Sequence, residues 1–158
     1  MEKTQAQEPT QLSISRGYGV APEKVWRAWT DPQALSQWFG NGRPGSVTTA
    51  EVDLRVGGCY RFAFTAPHGS GEVSEVSGVY QEVEPQRRLV FTWAWKSTPE
   101  RVSRVCIDLK AMAGGTELHF VHDRFFDQQA RINHEGGWKP MFEQFGGYLQ
   151  RMAETEQA

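Results

Sequence analysis

Between Ala50 and His122 the apolar residues of this chain recur at every second position, run after run, with glycine- or proline-containing breaks between the runs. Period two puts alternate side chains on opposite faces of an extended strand, and short breaks join strands that lie antiparallel. Tyr60, Phe62 and Phe64 share one face, with Cys59, Arg61 and Ala63 on the other; Leu89, Phe91, Trp93 and Trp95 repeat the pattern thirty residues on. A sheet face carrying that many rings must be covered by another layer to be stable in water.

The remaining runs complete the sheet. Leu12 to Tyr18 reads as a first half-buried strand, and Ala50, Val52 and Leu54 alternate up to a turn at Gly57-Gly58. His68-Gly69-Ser70-Gly71 is a further turn, followed by strands from Val73 to Val83, Leu89 to Lys96, Val102 to Ala111 and Thr116 to His122, the last two joined at Gly114-Gly115. Two short helices interrupt the order after the first strand. Pro22 opens one, with Val25, Trp26, Ala28 and Trp29 at helical spacing; Asp31 caps the second, which starts at Pro32 and runs to about Phe39. A long helix from near His134 to about Met152 closes the chain, with Trp138, Met141, Phe142, Phe145 and Leu149 on one broad face. The expectation is an α+β domain over residues 11–152, a curved seven-stranded antiparallel sheet around one long C-terminal helix, with polar tails at 1–10 and 153–158.

Composition bounds what such a domain can do. The chain has 158 residues, enough for one core, with 12% aromatics. A net charge of −2 with scattered Lys and Arg gives no stripe that would neutralise phosphates, so nucleic acid is not an expected partner. No stretch approaches the about 20 apolar residues of a membrane span, and the first eleven residues lack the apolar centre of a signal peptide. No membrane contact and a cytoplasmic location are expected. Cys59 and Cys106, each within a strand, read as buried free thiols.

Several segments resemble the family of the activator of Hsp90 ATPase homologue 1-like (AHSA1) C-terminal domain, within the START-like (SRPBCC) superfamily. They are Ala21-Pro22-Glu23-Lys24-Val25-Trp26, Thr30-Asp31-Pro32, Trp38-Phe39, Asp53-Leu54-Arg55-Val56-Gly57-Gly58, Arg88-Leu89-Val90-Phe91-Thr92-Trp93, Gly115-Thr116-Glu117-Leu118 and His134-Glu135-Gly136-Gly137-Trp138, in the family's order from about Ser13 to Leu149. The resemblance implies a START-like helix-grip fold, with the last helix across the concave sheet and a cavity between them. It also implies that Cys59 and Cys106 lie three strands, or roughly 14 Å, apart, too far for a disulfide.

The rings of the middle strands facing the tail helix are therefore the candidate site: Tyr60, Phe62, Phe64, Tyr80, Phe91, Trp93, Trp95 and Phe120 from the sheet, Trp138, Met141, Phe142 and Phe145 from the helix. Periodic rings can equally be a filled core or the walls of a ligand cavity. Trp38 and Phe39 are candidates for its rim. His122 shares parity with Leu118 and Phe120 and points inward; it is either a hydrogen-bonded core histidine or, with His134, Tyr60 or Tyr80, the polar contact of a ligand. His119, three residues away on a strand, faces the other side, so the two cannot share a metal. No metal or cofactor is expected.

Three functions are open. The first is non-catalytic binding of a hydrophobic or aromatic small molecule between sheet and helix. The second is an interaction module with an Hsp90-type chaperone as partner, or a stress-response role, as the family name implies; nothing here corresponds to the additional N-terminal domain of the eukaryotic co-chaperones. The third is a cyclase-like enzyme using His122 as general acid or base. No nucleophile elbow and no phosphate-binding glycine loop is present. A monomer or weak homodimer is expected.

Overall fold

The computed structural model describes residues 11–40, 47–65 and 73–157. The elements run β1 (Leu12–Tyr18), α1 (Pro22–Thr30), α2 (Pro32–Trp38), β2 (Thr48–Val52), β3 (Cys59–Thr65), β4 (Val73–Glu84), β5 (Arg88–Trp95), β6 (Ser103–Met112), β7 (Gly115–Asp123) and α3 (Gln128–Gln157). The seven strands form one antiparallel sheet in the order β1-β7-β6-β5-β4-β3-β2. Only β1 leaves its sequence neighbour: α1 and α2 intervene, and it closes the far edge against β7, Ile14 opposite Phe120. The sheet is curved, and α3 lies in its concave face, the helix-grip arrangement that the resemblance implied. The expected N-terminal tail and the turn at His68 to Gly71 fall outside the described residues.

Side-chain chemistry explains the two faces. The outer face is laced by ion pairs between neighbouring strands: Arg88 with Glu82 and Asp108, Arg104 with Asp123, Arg61 with Glu51 and Glu75. Cys106 is buried among the side chains of this layer, but Cys59 is exposed, which corrects its expected burial. It stands at the end of β3, and its neighbour across the strands is Val79, itself exposed. The inner face joins α1, α2 and α3 in one apolar cluster. Trp29 of α1 sits at its centre, in ring contact with Trp38, Phe120, Trp138, Phe142 and Phe145. The contact with Trp38 is edge-to-face and the other four are tilted; rings meeting so fill space densely and add attraction beyond burial.

The helix starts confirm the reading of prolines and Asp31. Pro22 and Pro32 stand at the first turns, and the Asp31 side chain accepts from Ala34 N at 3.1 Å. α3 differs from expectation: it begins six residues earlier and continues through the expected C-terminal tail to Gln157. Asp127 is the reason at the start, since its carboxylate accepts from Ala130 N at 2.9 Å and its carbonyl from Arg131 N. β2 lies two residues earlier than expected, starting at Thr48 and ending at Val52 before Leu54.

Curvature has a local cause in β4, which carries an extra residue between Tyr80 and Glu82 in its pairing with β5. Beside this irregularity a Cβ on Gly78 would stand 1.9 Å from the Thr92 carbonyl oxygen. The Tyr60 hydroxyl donates to that same oxygen at 2.5 Å. Only glycine lets the two strands approach this closely. Gly136 is the opposite case: in mid-helix, with nothing within 4 Å of an added Cβ. Gly78→Ala should therefore destabilise by about 1–3 kcal/mol, while Gly136→Ala should stabilise by about 0.5–1 kcal/mol. Urea unfolding midpoints of the two variants will shift in opposite directions if these backbone environments are right.

Candidate functional site

Among the candidate residues, His122 has the most defined surroundings. It is 0% exposed on β7, with β6 on one side and α3 above. Trp138 Nε1 lies 3.0 Å from His122 Nδ1, and Ser103 Oγ lies 2.7 Å from Nε2. An indole nitrogen can only donate, so Nδ1 must be the acceptor and Nε2 carries the proton. Nε2 then donates to Ser103 Oγ, whose own proton goes to the Trp93 carbonyl at 3.2 Å. Every polar atom of this buried chain is satisfied. Burial pushes the His122 pKa well below its ordinary value, with nearby His134 adding to the effect.

This tautomer decides a chemical question. Ser103 and His122 have the contact of a nucleophile and its base, but such a base must accept the hydroxyl proton at Nε2 and carry a hydrogen on Nδ1. Here the Trp138 indole imposes the reverse arrangement. His122 holds α3 to the sheet; it has no free nitrogen to offer a substrate.

His134, on the second turn of α3, is the mirror case. Its Nδ1 lies 2.7 Å from the Ala130 carbonyl and donates to it, leaving Nε2 as acceptor. Two indole N–H groups converge on that atom, from Trp95 at 2.9 Å and Trp93 at 3.3 Å. The pKa of His134 is lowered by burial, against a smaller opposing effect of the Ala130 carbonyl.

Open space flanks His134 on both sides. One cleft, of about 180 Å³, lies between the segment Thr98 to Ser103, the segment Phe125 to Asp127 and the first turns of α3. The other, of about 190 Å³, is walled by Trp93, Trp95, Trp138 and Met141, with Gly137 at its edge. Trp93, Trp95, Asn133 and His134 belong to both. Each is large enough for a single aromatic ring, since a cavity of about 150 Å³ takes benzene. A groove of about 300 Å³ between α1, α2 and the end of α3 is larger; Ala28, Ala34, Tyr148, Leu149 and Met152 give it apolar surface, but Lys24, Arg27, Asp31, Gln33 and Gln37 share its lining and no aromatic pair walls it.

The candidate residues thus divide. Trp93, Trp95, Trp138 and Met141 face the clefts. Tyr60, Phe62, Tyr80, Phe91, Phe120, Phe142 and Phe145 are buried in the packed cluster, and Phe64 is half-buried against Phe39 and Trp95. Trp38 and Phe39 are not at a rim: they are 4% and 3% exposed, because α2 folds inward and the Trp38 indole donates to the Ala28 carbonyl at 2.8 Å. Reading the sequence missed Arg101, Phe126 and Asn133 at the first cleft. Arg101 lies 4.0 Å over the Phe126 ring, itself 61% exposed; two adjacent phenylalanines directly before Asp127 were the available signal. Among the described residues no group of three His, Cys, Asp or Glu is placed to hold a metal, and no helix is long and apolar enough to cross a membrane.

The strand order and the clasp of α3 define a START-like helix-grip domain. The sequence profile of the activator of Hsp90 ATPase homolog 1-like protein family matches residues 20–150, and the chain belongs to that family. Protein CV1439 from Chromobacterium violaceum is 29% identical, with a TM-score of 0.78 over 88% of this chain and 96% of that one. A protein from Rhodobacter sphaeroides is 25% identical, with a TM-score of 0.79 over 96% of each chain. An AHSA1-like protein from Aeromonas hydrophila, 24% identical, shares the fold at a TM-score of 0.75, covering 90% of this chain and 94% of its own. No curated protein matches the sequence.

The buried neutral state of His122 has a thermodynamic consequence. Its folded pKa lies below the ordinary 6.5, so below that pH the unfolded chain binds a proton that the folded chain does not. The stabilisation is complete above about pH 6.5 and is lost as pH falls, at up to about 1.4 kcal/mol per pH unit from this one group. Urea midpoints taken between about pH 7.5 and 5.5 should fall accordingly, and His122→Gln should remove that part of the slope whatever its effect on absolute stability. An unchanged slope in the variant would contradict the assignment.

Proposed function

We propose that this domain binds a small apolar or aromatic molecule without transforming it, in the clefts that flank His134. What carries the reading is the contrast within one interior. The centre, around Trp29, is filled by its own rings, while ring-sized space is left between β5 and α3, walled by Trp93, Trp95, Trp138 and Met141. Rigid aromatic walls with a few convergent polar groups are what ligand sites are made of. The deeper candidates, Tyr60, Tyr80, Phe91 and their neighbours, act as scaffold that holds β5 in place. Family membership supports the same reading, since the fold is one on which hydrophobic ligands are commonly held.

The cyclase-like alternative loses its general acid or base, because both nitrogens of His122 are engaged within the core. A chaperone partner is supported by the family's name alone. The free thiols of Cys59 and Cys106 support a cytoplasmic location.

Naphthalene is a suitable probe because it is aromatic and wholly apolar, and one of its two rings fits the Met141 cleft while the other extends through its open side. In an NMR titration it should shift the Met141 methyl and the Trp95 and Trp138 indole resonances ahead of those of Tyr60 or Phe91. Met141→Asp, which puts a charge on the cleft wall, should weaken binding about tenfold or more. No shift at these residues in the native protein, or equal affinity in the variant, would rule the clefts out.

A further inference from the structure

The two indole N–H groups of Trp93 and Trp95 converge on one point from the sheet, and the atom now standing there is His134 Nε2. That ring also separates the two clefts, since each has Trp93, Trp95, Asn133 and His134 in its wall. A pair of donors aimed at a single acceptor between two aromatic-walled spaces is a recognition element, and His134 satisfies it from within.

We infer that His134 is an internal stand-in for the ligand: its Nε2 holds the acceptor position that a planar aromatic molecule bearing a ring nitrogen or carbonyl takes when bound. Displacement of the imidazole joins the two clefts into one chamber, about twice the size of either and within the range of ordinary ligand pockets. The ligand's acceptor replaces Nε2, so the indole donors are never left unpaired, which would be costly in so apolar a place. This rests on the reading that the clefts are the ligand site, and it adds the ligand's chemical class.

The backbone around His134 is suited to such a displacement. Pro140 lies inside α3 and has no N–H, so the Gly136 carbonyl lacks the donor four residues on. Gly136 and Gly137, between His134 and Pro140, touch nothing that a side chain would touch. The first turns of α3 are therefore joined to the rest by a weakened turn. Beyond Trp138, the helix is held by the His122 bond and by Gln144, whose amide donates to the carbonyls of Trp38 and Gly40, each at 3.1 Å. The segment bearing His134 can shift while the grip persists.

Quinoline and naphthalene have the same shape and differ in one ring nitrogen, so comparing them isolates the acceptor. At neutral pH the native protein should bind quinoline about three- to tenfold more tightly than naphthalene, with both the Trp93 and Trp95 indole N–H resonances moving. Trp95→Phe, which removes one donor but keeps a ring on the wall, should abolish most of that preference; the readout is the ratio of the two affinities, whatever the variant does to each. His134→Ala, which empties the acceptor position, should raise quinoline affinity at least about threefold. Equal affinity of the two probes, with naphthalene still shifting Met141, would overturn this inference and leave the binding function standing. Failure of both probes to bind would remove the binding function itself, and this inference with it. If His134→Ala does not fold, the two probes on the native and Trp95→Phe proteins still decide the matter.

Discussion

A single buried imidazole ties the long helix to the sheet, and the rest of the interior follows from it. His122 sits on β7, accepts from Trp138 on α3 and donates to Ser103 on β6, which in turn donates to β5. Three strands and the helix are thereby held by one chain of hydrogen bonds, in a setting where each unmade bond would be expensive. An apolar residue at this position would fill the space without fixing an orientation. The histidine fixes the rotation of α3, because Trp138 must present its indole nitrogen to Nδ1, and this turns Phe142 and Phe145 onto Trp29 and Phe120.

With the helix so placed, the aromatic residues meet two fates. Those beneath its middle and C-terminal half interlock, and the Trp29 ring touches five others. Those near its N-terminal end do not close up. There Gly136 and Gly137 carry no side chain, so Trp93 and Trp95 line open space while their N–H groups meet His134. The same kinds of residue serve as packing at one end of the groove and as walls at the other. Shared family and shared fold do not select between these roles; the positions of His122 and His134 do.

Much of the fold could be read from residue order, since alternation in strands is a local signal. Tyr60, Phe62 and Phe64 do face inward with Leu89, Phe91 and Trp93, and parity alone put His119 and His122 on opposite faces. Caps were readable where the residue and the helix pattern were adjacent, as at Asp31, and were missed at Asp127, where two phenylalanines precede the cap and no apolar repeat follows it at once. The site was less legible because a ring's neighbours across the sheet decide whether it lines a space. Nothing local distinguishes Trp38, sealed by its bond to Ala28, from Trp95, left open beside His134. The convergence of two indoles on one imidazole joins residues about forty positions apart and has no counterpart in spacing.

The protonation pattern of the two inner histidines is the most direct test of this account. Nitrogen-15 spectra of the imidazole rings near neutral pH should show both neutral and in opposite tautomers, the proton of His122 on Nε2 and that of His134 on Nδ1. The reverse tautomer at His122, or an imidazolium there, would mean that Trp138 does not donate to it, and the clasp between helix and sheet that sets the position of the clefts would have to be abandoned.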